Sequence, residues 1–347
     1  MGLVRRLISL ARNPWVFQVV TTGGFSALVV WQFDLSQVGE SFRDANYIWS
    51  ALALVLSTST RVIDTWRWRL YLRKVGQVPL WGLLGAFLIG NLGNNVLPMR
   101  AGDVAKIQIV ANRYGLSRAG LASSVFVVES VMDGMTFLIL LLVGLALMDI
   151  GFIPPAMLWS LGIMAGGGFV ATVIASHFLP RRIPSWWWLK RLPKPVLDVL
   201  AEGLPRFLDG METMRDMWLL IQAVVLNFAG WFSQVVVFWV FGLAFGLDLG
   251  LDAYIVVMVA ANLVAAFPIA FQNLGPYELL IVQVLAAWDV EEARALAYAV
   301  GTHMLTNLWV VALGIGALWA MRVRPGELFS MVGQRKAIIG GEVGGAS

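Results

Sequence analysis

Cysteine is absent from the 347 residues, and histidine occurs only at positions 177 and 303. Disulfides, thiolate metal sites, a cysteine nucleophile and a multi-histidine metal centre are therefore excluded. Charge is scarce too: 13% of residues are Asp, Glu, Lys or Arg, against about a quarter in a soluble domain. The motifs of ordinary catalysis are missing as well. There is no HExxH, no Walker loop, no Gly-x-Ser-x-Gly and no Rossmann fingerprint. No cofactor is expected.

What remains is apolar. Hydrophobic residues make up 59% of the chain, and mean hydropathy is +0.76. Sixteen tryptophans fit a chain that repeatedly meets the lipid–water boundary. Because a helix needs roughly twenty apolar residues to cross a bilayer core, the spans are read as Trp15–Phe33, Ile48–Tyr71, Ala119–Met148, Ala156–Phe178, Met217–Phe245 and Glu291–Met321. No small-x-small cleavage site follows the first, so it reads as a retained span.

Charge placement orients these spans. With a cytoplasmic N-terminus, the outer loops carry only Arg43 and Arg294 as cations, and the inner loops take the rest, among them Arg67, Arg69 and Lys106. The formal charge of +4 thus reflects topology rather than a nucleic-acid partner. Both termini are expected in the cytoplasm and the chain in the inner, or plasma, membrane. Residues 180–214 read as a cytoplasmic interfacial segment and 326–347 as a flexible tail, within one polytopic domain over 1–325.

Two apolar stretches do not fit as spans. Leu80–Pro98 begins and ends beside basic sequence, and Ala253–Trp288 is interrupted by FPIAFQNLGPYE. Prolines 268 and 276 cannot continue a helix, and irregular backbone at membrane depth survives only inside protein or beside a watery cavity. Both stretches read as re-entrant hairpins entering from opposite sides. NLGNNVLPMRAGD and NLVAAFPIAFQNLGPYE share an order of asparagine, proline, glycine and acid. Setting Leu116 against Val290 aligns the following spans without gaps, Glu129 opposite His303 and Asp133 opposite Asn307. The expected fold class is therefore an all-α integral membrane protein: about six spans plus two hairpins in an inverted repeat, its halves near 47–178 and 217–321.

Ionisable residues inside apolar spans are costly and mark candidate sites. Glu129 and Asp133 lie one turn apart, read either as a proton or cation site or as part of a structural ion pair with an arginine. Arg100 follows Pro98 and precedes a short helix expected over Val104–Tyr114, where an anion would meet both guanidinium and free N–H groups. It could equally partner Asp103, Glu129 or Asp133. Asp103 is a helix cap or a substrate contact. Arg61 and Asp64 suit intrahelical pairing, with Arg67 snorkelling one turn on. Glu278 closes a cap after Pro276 or touches substrate. Asn91, Asn95 and Asn273 at the hairpins join the substrate set, and His303 and Asn307 the polar core.

These residues carry a resemblance. WRWRLYLRKVG (Trp66–Gly76), GNLGNNVLPMRAGDVAKI (Gly90–Ile107), VVESVMDGMTFLILLLVG (Val127–Gly144) and NLGPYELLIVQVL (Asn273–Leu285) resemble the lysylphosphatidylglycerol synthase transmembrane, or flippase-like, family, over Trp15 to Met321. The resemblance implies a membrane domain that flips or presents a lipid with a modified or phosphate headgroup. Its polar set maps onto Asn95, Arg100, Asp103, Glu129, Asp133 and Glu278. QNLGPYE is poorer in glycine than the family's second motif, and no soluble aminoacyltransferase domain is expected, so lysyl-lipid synthesis is not. The functional expectation is a transporter for a lipid with an anionic headgroup: a phospholipid, polyprenyl phosphate or glycolipid. Its alternatives are an intramembrane transferase acting on a lipid-linked sugar or amino acid, and a non-catalytic subunit. A second copy of the chain or a cytoplasmic enzyme recruited through Pro180–Met214 are the further partners considered.

Overall fold

A computed structural model describes residues 14–97, 101–148, 155–178, 208, 211–267, 271–324 and 326. Eleven α-helices follow in chain order among the described residues: α1 Pro14–Gln32, α2 Leu35–Arg43, α3 Tyr47–Leu72, α4 Leu80–Val96, α5 Ala101–Tyr114, α6 Arg118–Leu147, α7 Pro155–Phe178, α8 Met217–Ala244, α9 Leu251–Ala266, α10 Pro276–Ala286 and α11 Glu292–Met321. No strand occurs among the described residues, so the all-α expectation holds. Each of the six expected spans coincides with a helix to within about two residues, the usual scatter of helix ends.

Helices α6, α8 and α11 are long and apolar enough to cross a membrane. Most of their apolar windows face outward, only 22%, 33% and 22% being buried. Trp31, Trp159, Trp218 and Trp319 are exposed as well. An outer surface this apolar needs hydrocarbon rather than water around it. Buried glycines allow close packing instead: a methyl group on Gly314 would run into Leu92, and one on Gly85 into Met321.

The first hairpin differs from its expected form. Leu80–Val96 is not folded on itself, because the stretch contains no proline, and α4 runs through it as one helix. The second arm is α5, which starts at Ala101 rather than Val104. At 17 and 14 residues these arms reach about 25 and 21 Å, short of the roughly 30 Å core. The second hairpin has arms α9 and α10, of 16 and 11 residues.

The chain divides into two compact units. One comprises 1–60, 137–159 and 231–310; the other comprises 61–136, 160–230 and 311–347. Hairpin α9–α10 belongs to the first and hairpin α4–α5 to the second. In the first unit, Phe245 meets Phe42 and Tyr298 edge-on at 5.6 and 6.1 Å, and buried Tyr254 and Tyr298 fill the centre. In the second, Trp68, Tyr71, Ile89, Leu121 and Met132 are buried together with Leu208, Met211 and Met214. The end of the expected interfacial segment is thus core. The rest of that segment and the tail beyond 326 lie outside the described residues.

Candidate functional site

Polar groups gather at the hairpin of each unit. In the second unit, α4 and α5 approach through glycine. A methyl group on Gly102 would collide with the Gly90 carbonyl and with Asn94, and one on Gly93 would press on Gly102. This closeness brings Asn94 Nδ2 to Asp103 Oδ1 at 2.9 Å. One turn along α5, Lys106 is 2% exposed. Its ammonium lies 3.2 Å from Asp103 and in contact with Glu129 Oε1 on α6. It also stands over the rings of Trp68 and Phe87, 5.7 and 5.4 Å from their centroids. An ammonium so desolvated is held by carboxylates and π faces together.

Arg67 on α3 is the other buried cation among the described residues. Its two terminal nitrogens reach Asp133 at 2.6 and 3.0 Å, a fork-on-fork pair. One of them also donates to Asn227 Oδ1. Asn227 is fully buried on α8 and donates onward to Thr136 Oγ1 at 2.5 Å. Asp64 lies 3.6 Å from Arg67 and 3.9 Å from Arg61, giving the intrahelical pairing expected of those residues. Arg67 does not snorkel, however; its guanidinium points inward, because Asp133 and Asn227 compensate it there. The segment Phe126–Met132 of α6, containing Glu129, is wound as a π-helix, a form concentrated at functional positions.

In the first unit, the turn between α9 and α10 carries Gln272, Asn273 and Gly275 at φ 50°, 57° and 91°. Any other residue at 275 would be strained, and a methyl group there would strike Phe25 of α1. Pro276 opens α10, and Glu278 caps it by accepting the Gly275 N–H at 2.6 Å. The other carboxylate oxygen is 2.6 Å from His303 Nδ1 on α11. The Tyr277 ring stacks on the imidazole with centroids 4.2 Å apart, and its hydroxyl meets Thr302 Oγ1 at 3.3 Å. Asn273 Nδ2 ties back to the Val264 carbonyl at 3.1 Å.

The candidate residues therefore separate. Asp103, Glu129, Asp133, Arg61 and Asp64 converge in the second unit, where Asn91 and Asn95 lie on α4. Glu278, His303 and Asn273 converge in the first, where Asn307 follows His303 by one turn on α11. Arg100 lies outside the described residues. Glu129 and Asp133 each have their own cation, Lys106 and Arg67. Neither cation stood among the candidates, because both were counted as rim charges. Lys106 was visible three residues after Asp103 in the apolar run VAKIQIV, and Asn227 as one of three amides, with Gln222 and Gln234, inside an apolar span. Tyr277 and Asn94 were also missed, and nothing in their local pattern sets them apart. Among the described residues no group of three or more His, Asp or Glu could hold a metal ion.

Comparison with known proteins agrees with the membrane character. The chain is 27% identical over 333 residues to Glycosyltransferase AglD of Haloferax volcanii, covering 86% of this chain and 53% of that protein. It thus spans about half the length of that relative. It is 21% identical over 301 residues to a UPF0104 membrane protein of Methanothermobacter thermautotrophicus, covering 81% of this chain and 88% of the relative. No solved structure matches. Residues 15–314 match the model of the lysylphosphatidylglycerol synthase TM region, and with most of its length inside that match the chain belongs to this family of membrane proteins.

Proposed function

We propose that the protein moves a lipid with an anionic, phosphate-containing headgroup across the inner membrane. Six helices span, both termini face the cytoplasm, and the hairpins α4–α5 and α9–α10 enter from opposite sides as parts of an inverted repeat. One observation carries this reading. In each unit the second hairpin arm joins the long helix that follows through a partly buried acid–base contact, Lys106 to Glu129 and Glu278 to His303. Glu129 and His303 are the positions that the gap-free alignment of the two halves sets opposite each other. Paired broken helices at related positions are the architecture of secondary transporters, whose substrates bind at the helix breaks.

Arg100, directly before α5, receives the phosphate together with the first N–H groups of that helix. Asn91 lines the same hairpin, and its Nδ2 is buried without a partner among the described residues. The acyl chains stay in lipid throughout.

Liposomes that contain the purified chain and fluorescent phosphatidylglycerol test this, by quenching the outer leaflet and following the protected fraction. Faster loss of protection than in protein-free liposomes is expected, and an unchanged rate overturns the reading. A second reading, an intramembrane transferase for a lipid-linked sugar, is favoured by the name of the haloarchaeal relative. Product formed from a lipid-linked sugar donor, without lipid movement, would select it.

A further inference from the structure

Glu278 and His303 form a largely buried pair, and among the described residues of the first unit no other charged group is hydrogen-bonded or ion-paired to it. Their side chains are 5% and 11% exposed. Glu278 spends Oε2 on the Gly275 N–H and Oε1 on His303 Nδ1, while Nε2 of His303 has no hydrogen-bond partner among the described residues. The elements around the pair carry few ionisable groups. None lies on α1, on the turn Phe271–Asn273, or on the parts of α6 and α8 in this unit, and α3 brings only Tyr47 at its start. On α9, Asp252 receives Trp288 Nε1 at 3.4 Å, and the Tyr254 hydroxyl donates to the Leu247 carbonyl at 3.1 Å. On α10 there is only Tyr277. On α11, the Tyr298 hydroxyl donates to the Phe238 carbonyl at 3.1 Å, and Arg294 and Glu292 belong to the first turn, with Arg294 about 13 Å along the axis from His303.

We infer that Glu278 and His303 together form a proton-binding site that latches the tip of the second hairpin. With one proton shared between Oε1 and Nδ1, the pair carries a single negative charge. A second proton, delivered by hydronium with release of water, bonds to His303 Nε2 and leaves a carboxylate–imidazolium pair of zero net charge. In an apolar interior the neutral pair is favoured over the charged one. Loss of that proton leaves a net charge that no cation among the described residues pairs with, which favours opening toward water. Opening frees the Gly275 N–H and relaxes the three positive-φ residues of the turn. The carboxylates of the other unit differ, because Lys106 and Arg67 already balance Glu129 and Asp133. The inference rests on the transport reading only for the use to which the proton is put.

Hydrogen–deuterium exchange of the full chain in detergent, at about pH 5 and pH 8 where histidine changes charge, tests it once intrinsic rates are corrected. Peptides covering 271–286 should exchange severalfold faster at the higher pH, with no such step in 80–114. Glu278→Gln keeps an acceptor for Gly275 and a donor for His303 Nδ1 but removes the negative charge, so the step should vanish. His303→Gln should abolish it too. A wild-type chain without the step, or a step that survives in both variants, overturns the proposal. Fluorescent phosphatidylglycerol movement in liposomes separates the two readings. A pH step without movement removes the transport reading alone, and movement without a step removes the proton site alone.

Discussion

The two hairpins differ in how their charge is held. Hairpin α4–α5 is closed by glycine contacts and carries Lys106 on its second arm, in a cluster that also holds Arg67, Asp64, Asp103, Glu129 and Asp133. Hairpin α9–α10 has a shorter second arm, three residues at positive φ in its turn, and one acid held by one histidine. The first is built as a fixed charge network, in which each acid has a cation and each cation more than one contact. The second has a single contact that one proton can alter. A repeat whose halves exchanged acid and base between arm and long helix would give each half a different task.

The largest expected effect lies in the fixed network. Asp133→Ala removes the forked partner of Arg67 and leaves a guanidinium 4% exposed with Asn227 and the more distant Asp64. Breaking a buried pair from one side costs about 3–5 kcal/mol, so the melting temperature should fall sharply, by far more than for Glu278→Gln. Equal falls would mean that the second hairpin is as rigid as the first. Lys106→Met is expected to cost a similar amount, because Glu129 and Asp103 lose their ammonium. Adding Glu129→Gln should recover part of it, and the coupling read from a double-mutant cycle on melting temperature should be positive.

Backbone closeness comes next. Gly102→Ala drives a methyl group into α4 and should cost about 1–3 kcal/mol in thermal stability. Gly134→Ala meets nothing within 4 Å, and in a helix it should be neutral or stabilising by up to about 1 kcal/mol. If both substitutions behave alike, the arms of the first hairpin are not held by this contact.

These contrasts follow a line between what the sequence made legible and what it did not. The long apolar helices could be read because hydropathy and length are local properties, as could the helix start at Pro276. The extent of the first hairpin was misjudged because the approach of its arms depends on Gly90, Gly93 and Gly102, which read singly as tolerated helix residues. The partners of the acids were hidden for another reason. Lys106 and Glu129 are 23 residues apart, and Arg67 and Asp133 are 66 apart, so no helical spacing joins them. Counting cations by loop assigned both to the inner rim, whereas burial depends on the helix face they occupy. Glu278 was visible as a cap from Pro276, and His303 only through its alignment with Glu129.

The smallest expected effect tests how the second hairpin orients its histidine. The Tyr277 hydroxyl makes one long bond of 3.3 Å to Thr302 Oγ1, and the Thr302 hydroxyl itself donates to the Tyr298 carbonyl at 2.8 Å. Tyr277→Phe therefore leaves no donor stranded and should cost only about 0.5–1 kcal/mol. The ring remains to stack on His303, so the proton-dependent exchange step should persist unchanged. Tyr277→Leu keeps an apolar side chain but loses the stack, worth about 0.5–1.5 kcal/mol beyond the area buried. The imidazole then gains freedom to turn away from Glu278 Oε1, and the step should broaden or move in pH. If Tyr277→Phe moved the step as far as Tyr277→Leu, the hydroxyl rather than the aromatic face would govern His303, and the pair would have to be treated as a triad with Thr302.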